Sequence, residues 1–95
     1  MKVQLSSEAR KDLSAIGDYI ARDNPLRAST FVAELVKACV AISSTPLGYP
    51  IVQRYEAKGI RRRAYGNYQI FYQVKGEQVF VIRVLHGARD TGALL

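Results

Sequence analysis

The chain has 95 residues, enough for one hydrophobic core and too few for two, and its 48% apolar and 23% charged content excludes wholesale disorder. One cysteine and one histidine exclude an internal disulfide and the usual zinc sites, and the apolar runs are too short for a transmembrane helix. A net charge of +6, with seven basic and two acidic residues after position 57 against seven and six before it, favours an acidic partner. These numbers predict a single domain over residues 1–95, without cofactor, metal or membrane. No basic-then-apolar leader is read at the start, and the cytoplasm is the expected compartment.

In chain order, Lys2, Val3, Gln4 and Leu5 alternate polar and apolar, which predicts a short opening strand. Ser6-Ser7-Glu8 supplies helix-start chemistry: a hydroxyl for the free first-turn N–H groups and a carboxylate for the positive helix end. Ala9, Leu13, Ile16 and Ile20 then form one apolar helical stripe. Asp23-Asn24-Pro25 ends that helix and opens another, with Asn24 as cap and Pro25 in the first turn. The second helix is predicted over 25–43, with Ala28, Phe31, Val32, Leu35, Cys39 and Ile42 inward. Val36 and Val40 widen this stripe beyond what one packing contact needs. Either the helix is pressed between the first helix and a sheet, or part of the arc awaits a partner.

Residues 43–55 are read as a loop punctuated by Pro46, Gly48 and Pro50. Three strands are predicted after it, over 60–65, 68–74 and 78–86, joined by turns at Gly66-Asn67 and Lys75-Gly76. The tail from residue 87 is expected to be irregular. The fold class is therefore α+β: an N-terminal strand, a two-helix hairpin and a three-stranded antiparallel meander.

The turns set a register and sort the side chains. One face receives Arg61, Arg63, Tyr65, Tyr68, Ile70, Tyr72, Val79, Val81, Arg83 and Leu85. The other receives Ile60, Arg62, Ala64, Gln69, Phe71, Gln73, Gln78, Phe80, Ile82, Val84 and His86. The first face carries more apolar area and is assigned to the helices, with its arginines at strand ends pairing helix acids such as Glu8, Asp12 and Asp18. The second, with Phe71, Phe80 and Ile82, suits a peptide-binding surface. A competing reading reverses the faces and makes the arginines and tyrosines a nucleic-acid platform.

A specific string closes the third strand: Val84-Leu85-His86-Gly87-Ala88-Arg89-Asp90. It is preceded by Tyr68-x-Ile70-Phe71-Tyr72-x-Val74, by Gly59-Ile60-Arg61, and near the start by Leu5-Ser6-x-x-Ala9-x-x-Asp12-Leu13. Over roughly residues 3–90 the chain resembles the ParE branch of the RelE/ParE superfamily, the toxins of type II toxin–antitoxin modules. The resemblance implies the fold just derived and a small ParD-like antitoxin whose C-terminal segment, often acidic and amphipathic, wraps the toxin. It also implies one of two activities: inhibition of DNA gyrase, as in the ParE branch and plasmid stabilisation, or ribosome-dependent cleavage of messenger RNA, as in the RelE branch. A third reading keeps the antitoxin complex and drops the toxicity.

RNA cleavage needs a group to activate the 2′-hydroxyl, a group to protonate the leaving oxygen, and cations for the phosphate. The nuclease branch commonly has an arginine after the first tyrosine of the YxIxY strand, and here that position is Gln69. Gly87 and Ala88 stand where several of its members carry a tyrosine or a basic residue. Gyrase binding is therefore the first reading, and no catalytic residue is assigned. Arg62, Arg83, His86 and Arg89 are the candidates for meeting the target. Val36, Val40, Phe71, Phe80 and Ile82 are the candidates for meeting the antitoxin. Cys39 reads as a small buried apolar residue, with a Cys39–His86 dyad as a remote alternative.

Overall fold

The computed structural model describes residues 1–87 and residue 95. The elements run β1 (Lys2–Leu5), α1 (Ser7–Ala21), α2 (Pro25–Ala41), a 3₁₀ turn (Ile42–Ser44), a second 3₁₀ segment (Gln53–Lys58), β2 (Arg61–Tyr65), β3 (Tyr68–Lys75) and β4 (Gln78–His86). Both helix starts follow from their caps. Ser6 Oγ accepts from the Ala9 N–H at 2.9 Å, and Asn24 Oδ1 accepts from the Arg27 N–H at 3.0 Å, with Pro25 in the first turn. No helix among the described residues is long and apolar enough to cross a membrane.

The strands form one sheet in the order β1-β4-β3-β2. β2, β3 and β4 are antiparallel neighbours, while β1 joins the edge parallel to β4, with Leu5 opposite Val81. Tyr65 faces Tyr68 across the Gly66-Asn67 turn, as the turn chemistry predicts, and Gly66 takes a φ of 56°. The second turn lies one residue later than predicted, at Gly76-Glu77. Lys75 opposes Gln78, and Gly76 supplies the positive φ of 59°. The segment predicted as loop over 43–55 contains the start of the second 3₁₀ segment and one bridge, from Ile51 to Arg61. β2 begins at Arg61 rather than at residue 60, and α2 gives way to its 3₁₀ turn at Ile42.

The core lies between the sheet and the helix pair. Ala9, Leu13 and Ile16 of α1 meet Leu35, Ala38 and Cys39 of α2, and both press on Ile70, Tyr72, Val79, Val81 and Val84. Gly17 lets the helices approach closely, because a Cβ there would stand 3.2 Å from Val32 Cγ2. A smaller core sits on the other face of the sheet. Ile60, Phe71 and Leu85 are buried there under Val52, Tyr55, Ile82 and Leu95.

The face assignment holds for β2, for β3 and for the first half of β4, and fails after that. Phe71 opposes Arg83 but Tyr72 opposes Val81, so Ile82 is an extra residue on β4. This β-bulge inverts the alternation. Val84 packs on the helix side with Val79 and Val81, Leu85 turns into the second core, and His86 lies on the helix side beside Tyr68. A strict period of two places all three residues on the wrong faces.

The bulge is held from α1. Arg83 donates from Nε and NH2 to the two oxygens of Asp12 at 2.8 and 2.7 Å, and the Val84 N–H donates to the same carboxylate at 2.9 Å. Ser6 adds two bonds, its N–H to the Val81 carbonyl at 2.9 Å and its Oγ–H to the Ile82 carbonyl at 2.6 Å. Of Arg61, Arg63 and Arg83, all expected to pair helix acids, Arg83 does so, and it does so from a position opposite Phe71 of the other face rather than from the predicted register, whereas Arg61 and Arg63 bond backbone carbonyls. With the Arg83 and Asp12 side chains only 16% and 10% exposed, removing one partner strands a desolvated charge. Asp12→Ala should therefore cost about 3 kcal/mol in chemical denaturation, whereas Asp18→Ala, on the exposed side of the same helix, should stay within about 0.5 kcal/mol. Equal stabilities of the two variants would show that the bulge does not depend on the carboxylate.

Candidate functional site

Three of the sheet's arginines are occupied within the chain. Arg61 donates from NH1 to the carbonyls of Leu47 (3.2 Å) and Tyr49 (2.7 Å). Arg63 donates to the Ala38 carbonyl at 2.6 Å and lies over the Tyr49 ring at 5.4 Å. α2 has no basic residue in its last turn, so Arg63 brings a cation from the sheet to the negative end of that helix. Tyr72 O–H donates to the Pro46 carbonyl at 2.6 Å. Together these bonds seat residues 46–49 against the sheet. Arg83 is the third, in the ion pair with Asp12.

Arg62 points the other way. It is exposed and lines a shallow cleft with Val52, Arg54 and Tyr55 on the second face. His86 is exposed at the end of β4, edge-on to Tyr68 with centroids 5.4 Å apart. Arg89 lies outside the described residues. Arg62, Arg83 and His86 therefore do not form one cluster. Arg62 and His86 stand on opposite faces, and the charge of Arg83 is already compensated.

The apolar candidates divide as well. Val36 and Val40 are 37% and 55% exposed, so the surplus arc of α2 does face outward, beside Ala33 and Lys37. Phe71 is only 3% exposed, and Phe80 and Ile82 are half-buried. The chain itself covers much of the face predicted to receive a peptide, through Val52, Tyr55 and Leu95. That cover comes from sequence-distant segments, which alternation within the strands does not reveal.

Gln69 stands beside Gly87 near the end of the sheet. The Gly87 N–H donates to the Asn67 carbonyl at 2.7 Å, and a Cβ on Gly87 would lie 3.7 Å from Gln69 Nε2. Gln69 Oε1 is buried and has no hydrogen-bond partner among the described residues. At the α2 end of the molecule, Glu34 accepts from Arg27 (2.6 and 3.3 Å) and from Tyr65 O–H (2.8 Å). Arg27 first and Tyr65 second hold its carboxyl below the usual range.

Sequence reasoning missed a groove between α1, the start of α2 and the β2–β3 turn. Tyr19, Phe31, Tyr68 and His86 give it aromatic walls, with Ile16 and Val84 at its base. A signal was present. Tyr19 flanks the Ile16 and Ile20 stripe at helical spacing, and Phe31 occupies the corresponding edge of the α2 stripe.

The family model for the ParE toxin of the type II toxin–antitoxin system parDE matches residues 3–91. The chromosomal ParDE toxin–antitoxin system from P. aeruginosa has a similar fold, with a TM-score of 0.76 at 20% identity, covering 90% of this chain and 95% of that one. The toxin–antitoxin complex RelBE2 from Mycobacterium tuberculosis matches with a TM-score of 0.67 at 26% identity, again covering 90% and 95%. A comparison with curated protein sequences returns no significant match.

Burial pushes the Cys39 thiol up from 9.0 to about 11, so little thiolate exists near neutral pH. At pH 8, intact-protein mass spectrometry should show iodoacetamide alkylating folded Cys39 at least about 100-fold more slowly than an unfolded-chain thiol, because burial removes access as well as thiolate. Alkylation at the unfolded rate would show that the thiol is open and would return it to the list of reactive groups.

Proposed function

The chain belongs to the ParE toxin family, and from that membership we propose that it arrests growth by binding DNA gyrase and that a ParD-like antitoxin encoded beside it neutralises it. The observation that carries this reading is the fate of the sheet's cations. Arg61 and Arg63 hold loop and helix carbonyls, and Arg83 holds Asp12. A nuclease of this fold needs cations turned toward a phosphate, and Gln69 stands where its relatives commonly carry one. A binder needs only shape and steering charge, which the net +6 supplies.

The antitoxin reading rests on α2. Val36 and Val40 form an exposed apolar stripe with Lys37 alongside, which suits the apolar face of an acidic amphipathic segment. The half-buried Phe80 and Ile82 can extend that interface across the sheet. Phe71 contributes only if the segment displaces what covers it. Arg62 and His86 are the candidates for target contact, one on each face, and the cytoplasm is where such a target is met. The resemblance to the RelBE2 complex supports a second reading, cleavage of messenger RNA on the ribosome.

Two measurements test this. Induction of the chain alone should stall DNA replication and raise the DNA-damage response while bulk messenger RNA stays intact. Early cleavage of transcripts inside ribosome-bound codons would replace gyrase with the ribosome. For the partner, Val40→Glu should weaken antitoxin binding by about tenfold or more with the fold unchanged. Unaltered affinity would remove the α2 stripe from the interface.

A further inference from the structure

The end of β4 has two ladders open to it. From Lys75 opposite Gln78 to Tyr72 opposite Val81 the pairs follow one register, and from Phe71 opposite Arg83 to Tyr68 opposite His86 they follow another, with Ile82 as the surplus residue between. Had the first register run on, Phe71 would oppose Ile82, Ile70 Arg83, Gln69 Val84 and Tyr68 Leu85. Hydrophobic burial does not choose between the two. The regular ladder sends Ile82 and Val84 to the second face and Leu85 to the helix face. The bulged ladder puts Leu85 in the second core beside Ile82, and Val84 in the main core. The exchange is Val84 for Leu85, one methylene in the main core. Arg83 reaches the helix side in both.

The backbone bonds do choose. Successive carbonyls of a regular strand point to opposite neighbours. Val81 and Ile82 both turn theirs toward the end of β1, where the Ser6 N–H takes the first at 2.9 Å and the Ser6 Oγ–H the second at 2.6 Å. β1 stops at Leu5, opposite Val81, so no strand stands there to supply these donors. In the regular ladder the Ile82 carbonyl turns back to β3, so the hydroxyl bond exists only with the bulge. Without that hydroxyl, the bulge leaves the Ile82 carbonyl unpaired at a partly buried position, whereas the regular ladder pairs it. We infer that Ser6, besides capping α1, selects the register of β4 together with Asp12, and so decides the face on which His86 stands. With the hydroxyl in place, His86 meets Tyr68 on the helix side. Without it, His86 passes to the face of Arg62. The register thus decides whether these two candidates for target contact stand on opposite faces or share one. The selection itself does not depend on the toxin reading above.

Ser6→Asp isolates the hydroxyl donor. A carboxylate still caps the helix in place of the Oγ that accepts from Ala9, but it offers the Ile82 carbonyl no hydrogen. In NMR spectra of the isotope-labelled full chain, the parent and Ser6→Thr should both show His86 ring contacts with Tyr68 and Leu85 methyl contacts with Phe71. Ser6→Asp should lose both and show Leu85 against Tyr68 instead. Retention of the parent contacts in Ser6→Asp overturns the inference. Deletion of Ile82 removes the surplus residue, so alternation alone then keeps His86 beside Tyr68. The deletion combined with Ser6→Asp should therefore fold and keep that contact. Loss of the contact in the combined variant, or its failure to fold, overturns the inference, because the hydroxyl then serves only to build the fold. A Ser6→Asp chain that folds only once Ile82 is deleted supports it, since the surplus residue is then tolerated only with the hydroxyl.

Discussion

The carboxylate of Asp12 settles the second half of the sheet. It takes three hydrogen bonds from β4, two from the Arg83 guanidinium and one from the Val84 N–H. A bulge leaves a strand with one residue too many and an interrupted ladder. Here the helix acid and the cap residue Ser6 accept and donate where the ladder is broken, so the carbonyls of Val81 and Ile82 and the N–H of Val84 all find partners. The consequence reaches to the end of the strand. Leu85 is handed to the second core and His86 to the aromatic groove. The position of the single histidine is therefore set by an acid about one and a half turns into a helix more than seventy residues earlier.

This dependence explains what the sequence could and could not disclose. Local chemistry was readable: Ser6 and Asn24 as caps, Gly66-Asn67 as a turn, the α1 and α2 stripes as core. Each depends on neighbours within a few residues. The faces of β2 and β3 were readable for the same reason, because one turn fixes one register. Val84, Leu85 and His86 were misplaced because a bulge between Val81 and Arg83 has no marker in the strand itself; no glycine or proline stands there. The second turn was displaced by one residue because Lys75-Gly76 and Gly76-Glu77 both place a glycine in a two-residue loop. The burial of Phe71 was hidden because its cover comes from residues 52, 55 and 95.

The distribution of charge carries a similar lesson. The densest basic stretch, Arg61-Arg62-Arg63, reads as a patch for a polyanion. Folding divides it. Two of the three arginines become fasteners for carbonyl groups of residues 38, 47 and 49, and one remains on the outer face. Carbonyls at helix ends and in tight loops need donors, and the guanidinium groups of Arg61 and Arg63 supply them from a strand. A count of positive residues therefore overstates the cationic surface, and the apolar features of α1 and α2 gain weight as the recognition elements.

The parallel edge of the sheet has a consequence in time. β1 has only β4 as a partner, and Ser6 bonds to Ile82, 76 residues further on. No part of the β1–β4 ladder can form until β4 has been synthesised. At roughly 5–20 residues per second, the chain spends several seconds as an emerging polypeptide whose helices have no sheet to cover them. The helix pair with its exposed stripe is thus made well before the molecule can close. A partner that recognises α2 has its binding surface on offer during translation, ahead of any surface that requires the finished sheet.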